Sequence, residues 1–400
     1  MQAAPRPLIT SPRIARSPME FDLSWVLMGL PIAFAMGWLA SRFDLRQMRL
    51  ENRQAPKAYF KGLNFLLNEQ QDQAIDAFIE AVQNDPDTSE LHFALGNLFR
   101  RRGEYERAVR VHQHLLSRAD ISADDRHRAQ HGLALDYLKA GLLDRAETAL
   151  LALEGTRFEA QARLALLANY ERARDWAGAA LVAQKLETAG QGSFAGRQAH
   201  YLCEQAASAL ASGQTDAAQA LLQQGITIAP HSARARLDLA RMLARQDPTA
   251  ALAQLLQASS ATPTAIPLFA QEMASLALQT GDTAKTQSLL HSSYADAQSL
   301  DVLDALVALD APSAAQDARA WYVRHLEKQP SLVAAAQWIA GEKLEHEQFH
   351  PQVQRALDHA VKPLKRYRCA ACGFEAQKHF WHCPGCQAWD SYPPRRVEEL

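Results

Sequence analysis

Four of the five cysteines in this 400-residue chain lie near its C-terminal end and follow a single spacing pattern. The pattern is C-x2-C, ten intervening residues and a second C-x2-C, formed by Cys369, Cys372, Cys383 and Cys386. Each C-x2-C turn can point two thiolates at one place, and two such turns facing each other make a tetrahedral sulfur site. Such a site suits one zinc or one iron ion. We therefore predict a metal site with these four cysteines as its ligands.

Two disulfides are the competing interpretation of these cysteines. One further cysteine, Cys203, stands alone within a helical segment, which is unlike a disulfide-stapled secreted domain and indicates a reducing compartment. We expect Cys203 to be a small buried hydrophobic residue. Gly373 and Gly385 are predicted to supply the positive φ angles of the two metal-binding turns. His382 adjoins Cys383, but four cysteines already complete the shell, so His382 is not predicted to be a ligand.

The two cysteine turns resemble those of rubredoxin and of rubredoxin-like tail domains. The first reads Tyr-Arg-Cys-Ala-Ala-Cys-Gly-Phe over residues 367–374, and the second reads Trp-His-Cys-Pro-Gly-Cys over residues 381–386. The short connection leaves little independent core, so the module is expected to depend on its metal for folding. Five aromatic residues are predicted to cover the sulfurs, and some of them to dock on the last helices, around residues 338–361. These are Tyr367, Phe374, Phe380, Trp381 and Trp389.

The N-terminal part of the chain predicts a membrane anchor. Residues 1–22 are proline-rich without apolar periodicity, which indicates a disordered leader. An uncharged run begins at Leu23 and defines a predicted transmembrane helix over residues 23–41. Eighteen helical residues span about 27 Å, enough for a hydrocarbon core. Trp25 and Trp38 lie near its ends, as interfacial anchors do.

Charges around the apolar run predict its orientation. Arg42, Arg46 and further cations follow it, which places the main body in the cytoplasm of a single-pass inner-membrane protein. A cleaved signal peptide is the alternative, with Ala33-Phe34-Ala35 as a cleavage site, but the apolar run continues beyond it. The sequence leaves open whether translation starts at Met1 or Met19.

A 34-residue period marks the middle of the chain, and this period resembles that of tetratricopeptide repeats. The pairs that carry it are Gly62 and Gly96, Phe65 and Phe99, and Ala74 and Ala108. Small residues let the two helices of a hairpin approach, and large residues fill the gap to the next hairpin. We predict an all-α fold with a repeat superhelix over 55–335, a helical connector over 336–364 and the rubredoxin-like domain over 365–392.

The order of anchor, repeats and four-cysteine tail resembles the lipopolysaccharide assembly protein B family, over nearly the whole chain from Met19. The resemblance implies a non-enzymatic inner-membrane adaptor that limits lipopolysaccharide synthesis. In this family the adaptor promotes proteolysis of the committing lipid A deacetylase by the membrane AAA+ protease. A lipopolysaccharide-sensing inner-membrane protein restrains the adaptor. Only the four cysteines are carried over as site residues. The sequence also shows no Ser-His-Asp grouping and no glycine-rich phosphate loop.

Two other function classes stay open at this point. A rubredoxin-type iron site can cycle one electron, so the chain could be an electron-transfer protein. A zinc ribbon that binds nucleic acid is supported only by the basic patch of Lys362, Lys365, Arg366 and Arg368, and the net charge of −2 disfavours it. We therefore expect no nucleic-acid partner. The sequence does not distinguish iron from zinc, and it leaves the oligomeric state open, including a homo-oligomer.

Overall fold

The computed structural model describes residues 31–39, 60–65, 67–68, 70–84, 89–310, 315–341 and 347–400. Residues 31–39 form a helix with exposed side chains. The predicted leader and the rest of the predicted membrane segment lie outside the described residues. Within the ranges given above, we find no helix that is both long and apolar enough to cross a membrane. The described chain is otherwise mainly α-helical, as predicted, and divides into two compact units, Met1–Ala140 and Gly141–Leu400.

The first unit consists of consecutive helices that pack against their neighbours. They are α1 (Gln71–Asn84), α2 (Ser89–Arg102), α3 (Tyr105–Ser117) and α4 (Ala123–Ala140). Its core includes Ala74, Phe78 and Ala108, all fully buried. The ring of Phe78 fills the space beside Gly62, because a Cβ added at Gly62 would stand only 2.9 Å from that ring. Gly62 thus lets the two helices of its hairpin approach closely, as predicted. Phe78, which was predicted to fill the gap to the next hairpin, packs against Gly62 of its own hairpin as well as in a cluster with Leu91 and Leu95.

His112 takes the position of that aromatic ring in the following repeat. A Cβ added at Gly96 would lie 2.6 Å from the His112 ring, and one added at Gly132 would also lie 2.6 Å from it. His112 Nδ1 donates to Asp136 Oδ2 at 2.6 Å, and Arg100 contacts Asp136 Oδ1 at 2.7 Å. Both His112 and Asp136 are buried. A polar ring therefore fits this repeat because a buried carboxylate receives its N–H.

The second unit continues the helical hairpins and ends in the cysteine tail. Its helices are α5 (Leu143–Leu151), α6 (Glu159–Ala173), α7 (Trp176–Thr188), α8 (Ala195–Ala211), α9 (Thr215–Ile228), α10 (Ala233–Leu243), α11 (Pro248–Ala261), α12 (Ala270–Thr280), α13 (Thr283–Ala297), α14 (Leu300–Asp310), α15 (Ala315–Lys328), α16 (Leu332–Ala340) and α17 (His350–Val361). Short 3₁₀ turns lie at Pro263–Leu268, Glu347–Phe349 and Val397–Glu399. The segment around Met273 is helical and belongs to α12. Strands β1 (Tyr367–Arg368) and β2 (Glu375–Ala376) pair antiparallel in the tail.

The last residues of the chain cap two helices of the second unit. Glu398 accepts hydrogen bonds from the Leu332 amide at 2.7 Å and from the Ser331 hydroxyl at 2.8 Å, at the start of α16. Glu399 accepts from the Leu300 amide at 2.5 Å, at the start of α14. The first amides of a helix have no partner within it, and a carboxylate there also meets the positive end of the helix dipole. The C-terminal segment thus ties the tail to α14 and α16.

Removing one of these caps has a measurable consequence. We expect Glu398→Ala to destabilise the start of α16 by about 1–2 kcal/mol, the range of a lost helix cap. Amide hydrogen exchange at Leu332 and Val333 should accelerate accordingly. Glu327→Ala, which removes an exposed glutamate from neighbouring α15, is the control and should leave those amides unchanged. Unaltered exchange in Glu398→Ala would show that the cap does not stabilise the helix.

Candidate metal centre

The four predicted cysteines come together in the tail. Their sulfur atoms all lie within 4.8 Å of one another. Cys369 Sγ is 3.8 Å from Cys386 Sγ, and Cys372 Sγ is 3.7 Å from Cys383 Sγ. Four sulfurs bound tetrahedrally at roughly 2.3 Å from one ion would be about 3.8 Å apart. The four cysteines are therefore spaced so that they could bind one metal ion.

Two similar hydrogen-bonded turns hold the sulfurs in place. In the first turn the Cys369 amide donates to the Phe374 carbonyl, and the Gly373 amide donates to the Cys369 carbonyl, both at 2.9 Å. In the second turn the Cys383 amide donates to the carbonyl of residue 388, and the Gln387 amide donates to the Cys383 carbonyl, again at 2.9 Å. Pairing of β1 with β2 closes the first turn. The geometry is therefore fixed by the backbone on both sides of the site.

The positive φ angles of the turns differ from the prediction at one residue. Gly373 has φ +76°, as expected. Gly385 does not take a left-handed φ; Gln387 does, at +60°. The reason is positional, since the left-handed residue is the one that directly follows the second cysteine of each turn. Gly373 follows Cys372 and Gln387 follows Cys386.

The electrostatics of the site favour a bound cation. Burial disfavours the Cys369 thiolate, but hydrogen bonds with the Ser391 hydroxyl and with backbone amides outweigh burial and lower the pKa of Cys369 to about 6. The backbone amide of Phe374 lowers the pKa of Cys372, yet the loss of some hydrating water and hydrogen bonds with the neighbouring thiols raise it to about 12. Sulfurs this close repel one another when ionised. A divalent ion among them removes that repulsion and lets all four act as thiolates.

The remaining cysteine is buried as predicted, and the histidine beside the site contacts the second turn. Cys203 is buried in α8, and burial raises the pKa of its thiol to about 12, as befits an inert core residue. His382 Nε2 lies 3.0 Å from the Gln387 carbonyl, so this ring is engaged by the turn and is not directed at the sulfurs. Over the ranges that the structure describes, the four-cysteine cluster is the one place where three or more His, Cys, Asp or Glu side chains bring their potential metal-ligand atoms together.

A stack of rings docks the tail on the helices of the second unit. The Trp389 ring lies between His382, with centroids 4.3 Å apart, and His200 of α8, with centroids 4.9 Å apart, and both pairs are near-parallel. Trp176 and Tyr201 contact the Trp389 ring edge-on at 6.0 and 5.8 Å. Aromatic pairs in these geometries stabilise a contact beyond the area that they bury. Trp389 is thus the central anchor between the four-cysteine ribbon, residues 367–392, and α7–α8.

Polar contacts accompany the ring stack. Trp389 Nε1 donates to Glu171 Oε1 of α6 at 2.9 Å. His200 Nε2 lies 2.9 Å from Asp390 Oδ2 of the ribbon. The Trp381 ring is tilted against His200, with centroids 5.9 Å apart. We predicted this docking around residues 338–361, but these hydrogen bonds and ring contacts fall on α6–α8.

The other predicted cover residues divide into two groups. Tyr367 is buried and donates to Asp301 at 3.2 Å. Phe374 is 44% exposed and Phe380 is 38% exposed, so these two rings do not seal the sulfurs from solvent. Sequence reasoning missed Glu171 and the other docking residues of α6–α8. Single polar residues scattered through a helical array carry no local signal of a partner some 200 positions further along.

Part of the predicted basic patch is neutralised within the ribbon. Arg368 pairs with Glu375 at 2.8 Å, and Arg366 also contacts Glu375, at 3.5 Å. The Lys365 carbonyl accepts a hydrogen bond from Arg396 at 2.7 Å. These contacts support a structural role for Arg366 and Arg368 within the ribbon.

Loss of the tryptophan anchor should undock the ribbon. We expect Trp389→Ala to weaken docking by about 2–3 kcal/mol, somewhat less than a fully buried tryptophan because this ring is half-buried. Hydrogen exchange in α7 and α8 should increase, and the ribbon should become sensitive to protease while its metal content stays unchanged. Phe380→Ala removes an exposed ring from the same ribbon and serves as the control. If hydrogen exchange and protease sensitivity are the same in Trp389→Ala and Phe380→Ala, Trp389 is not the residue that anchors the ribbon.

Comparison with known proteins agrees with this architecture. A family model described as a rubredoxin metal binding domain matches residues 367–393, and models described as tetratricopeptide repeats match residues 91–127 and 203–266. Lipopolysaccharide assembly protein B of Escherichia coli is 33% identical over 380 residues, which cover 92% of this chain and 97% of that protein. The protein of the same name from Haemophilus influenzae is 27% identical over 393 residues, covering 92% and 98%.

Proposed function

The chain belongs to the lipopolysaccharide assembly protein B family, and on that premise we propose that it is a non-enzymatic adaptor of the bacterial inner membrane. In this role it promotes proteolysis of the deacetylase that commits precursors to lipid A, with the membrane AAA+ protease as the second partner. A lipopolysaccharide-sensing inner-membrane protein is the third. The adaptor thereby limits lipopolysaccharide synthesis.

The observation that best supports an adaptor is the docking of the four-sulfur ribbon on α6–α8. Trp389 and Asp390 of the ribbon contact Glu171 and His200, which belong to different helical hairpins. Stacked helical hairpins present extended surfaces that bind proteins and peptides. Because the ribbon is docked on α6–α8, it enlarges that surface. The repeats of the second unit and the ribbon would therefore bind a partner together.

We further propose that Cys369, Cys372, Cys383 and Cys386 hold one zinc or iron ion. The ion supplies the folding energy that a ribbon of this size lacks. Elemental analysis of the protein purified from its own membranes should find one ion per chain. Visible absorption distinguishes iron, which gives thiolate charge-transfer bands, from zinc, which is colourless in this range.

The predicted domain order is part of the proposal. A membrane helix over 23–41 would tether the repeats of 55–335, the connector 336–364 and the ribbon 365–392 to the cytoplasmic face. Tethering raises the local concentration of adaptor and protease without any new contact. A reporter fused after Leu400 is expected to be active in the cytoplasm. Periplasmic activity of that reporter would overturn this topology.

The function is tested by the lifetime of the deacetylase in cells. Depletion of the protein should lengthen the deacetylase half-life several-fold, and the full-length gene should restore it. A chain without residues 1–41 should fold and keep its metal but restore turnover poorly. An unchanged half-life on depletion would contradict the adaptor function, and full activity of the shortened chain would contradict the role of tethering.

Electron transfer is the second candidate, and one observation favours it. Cys372 and Cys386 are exposed, so two sulfurs of the centre face solvent, where a redox partner could approach. A reversible reduction potential together with iron in the native protein would support this function. Zinc in the native protein would exclude it, since zinc does not change oxidation state.

A further inference from the structure

Two adjoining grooves in the second unit share one arginine. The first, of about 420 Å³, lies between α10 and α12 and is lined by Arg241, Arg245 and Gln279 among others. The second, of about 450 Å³, lies between α10 and the ribbon and is lined by Arg241, Gln377 and Lys378 among others. Because Arg241 lines both, we treat them as one surface, the Arg241 groove. The ribbon forms one of its walls.

The floor of the Arg241 groove is apolar. Ala240 of α10, Leu255 of α11 and Leu276 of α12 line the first part, and all three are buried. Leu237 of α10 lines the second part. Apolar floors rimmed by polar groups are typical of binding grooves, since the floor gains from water release and the rim sets orientation.

The rim of the groove carries an excess of positive charge. Arg241 is held by Glu272 at 2.7 Å, and Glu272 is the only carboxylate among the residues that line either part. Arg396, in the second part, is held by Asp301 at 2.7 Å. In the portion of the chain that the structure describes, Arg245 and Lys378 have neither a carboxylate nor a hydrogen-bond partner. These two exposed cations are therefore available to a ligand.

Side-chain amides complete the rim. Gln271 and Gln279 stand on α12, and Gln377 stands on the ribbon, each exposed toward the groove that it lines. A primary amide both donates and accepts, which matches the alternating N–H and C=O groups of an extended backbone. The groove thus offers cations for carboxylates, amides for main chain and an apolar floor for small side chains.

We propose that the Arg241 groove binds an extended acidic peptide segment of a partner protein. The inference rests on the proposed adaptor function, for which it names the class of client segment. Carboxylates of the segment would pair with Arg245 and Lys378, and its apolar side chains would lie on the floor. Nucleic acid is disfavoured because Arg245 and Lys378 are two cations, fewer than the several phosphate contacts that such binding uses.

Fluorescence anisotropy with designed peptides tests the proposal. The probes are labelled twelve-residue peptides with four glutamates on a leucine, alanine and serine background, and matched peptides with glutamine in place of glutamate. The full chain should bind the glutamate peptides and not the glutamine peptides, with affinity that falls as salt rises. The double variant Arg245→Glu/Lys378→Glu should bind about tenfold more weakly, as expected for two partly exposed charge contacts.

A matched double variant controls for bulk charge. Arg245→Glu/Lys328→Glu changes the net charge equally but spares the ribbon side of the groove, because Lys328 is an exposed residue at the end of α15. It should lose less affinity than Arg245→Glu/Lys378→Glu. Equal losses in both would overturn the proposal, as would absence of binding, or tighter binding to single-stranded RNA or to phosphatidylglycerol vesicles. Circular dichroism verifies that all variants are folded.

The same variants separate this inference from the adaptor function. If depletion of the protein leaves the deacetylase half-life unchanged while the peptides still bind, the adaptor function fails and the groove stands as a peptide site. If depletion lengthens the half-life but Arg245→Glu/Lys378→Glu binds peptides and restores turnover like the unaltered chain, the groove inference fails. If Arg245→Glu/Lys378→Glu loses both peptide binding and deacetylase turnover while the control Arg245→Glu/Lys328→Glu stays active, the adaptor function and the groove inference are both supported.

Discussion

Cys383→Ser is expected to release the metal and unfold the ribbon, while the helices of residues 141–330 stay folded. Cys383 is fully buried and supplies one of four sulfurs, so its loss breaks the tetrahedral set. Metal binding in such small modules contributes on the order of 10 kcal/mol to folding, more than the ribbon's few apolar contacts provide. The helices remain because each hairpin is stabilised mainly by its neighbours.

Metal content and hydrogen exchange measure this effect. Elemental analysis should fall from one ion per chain to near zero, and exchange should rise throughout residues 367–392 and at the docking surface of α7–α8. Cys203→Ser, which removes the one cysteine outside the centre, is the control and should keep its metal. If Cys383→Ser instead unfolds the helical array, the ribbon determines the whole fold and the proposed domain boundary near residue 365 is wrong.

His112→Ala is expected to destabilise the first unit by about 4 kcal/mol. The change leaves a cavity between Gly96 and Gly132 and removes the group that donates to buried Asp136. Cavity formation in a core costs about 2–5 kcal/mol, and leaving a buried carboxylate without one of its hydrogen-bond donors costs about 1–3 kcal/mol. Arg100 still contacts Asp136, which keeps the total below the sum of the two.

Urea unfolding and hydrogen exchange in α3 and α4 provide the measurement. His114→Ala, on the same helix but exposed, is the control and should change the free energy of unfolding by less than about 1 kcal/mol. Gly132→Ala tests the same packing from the other side, because its methyl group would stand 2.6 Å from the ring. Wild-type stability in both His112→Ala and Gly132→Ala would show that this contact is not part of the core.

Features that depend on neighbours in sequence could be predicted without a structure. The C-x2-C spacing brings two sulfurs together within a single turn, so the convergence of the four cysteines on one place was predictable from residues 369–386. The 34-residue period likewise specified helical hairpins, since a small residue such as Gly62 only has to meet the other helix of its own hairpin. The residue with a positive φ is also a local feature, because in each turn it is the one that directly follows the second cysteine. The prediction of Gly385 was wrong by two positions, since Gln387 has the positive φ.

Contacts between distant segments were decided only by the tertiary structure. The sequence indicated that Trp389 would pack against other residues. It did not indicate which ones, because Trp176 and His200 lie about 200 positions earlier and no periodicity marks them. The same holds for Glu398, whose carboxylate caps a helix that begins at Leu332. Repeats of similar hairpins present similar surfaces, so local pattern cannot select which hairpin receives the tail. That choice depends on the summed shape and polarity of side chains that only folding brings together.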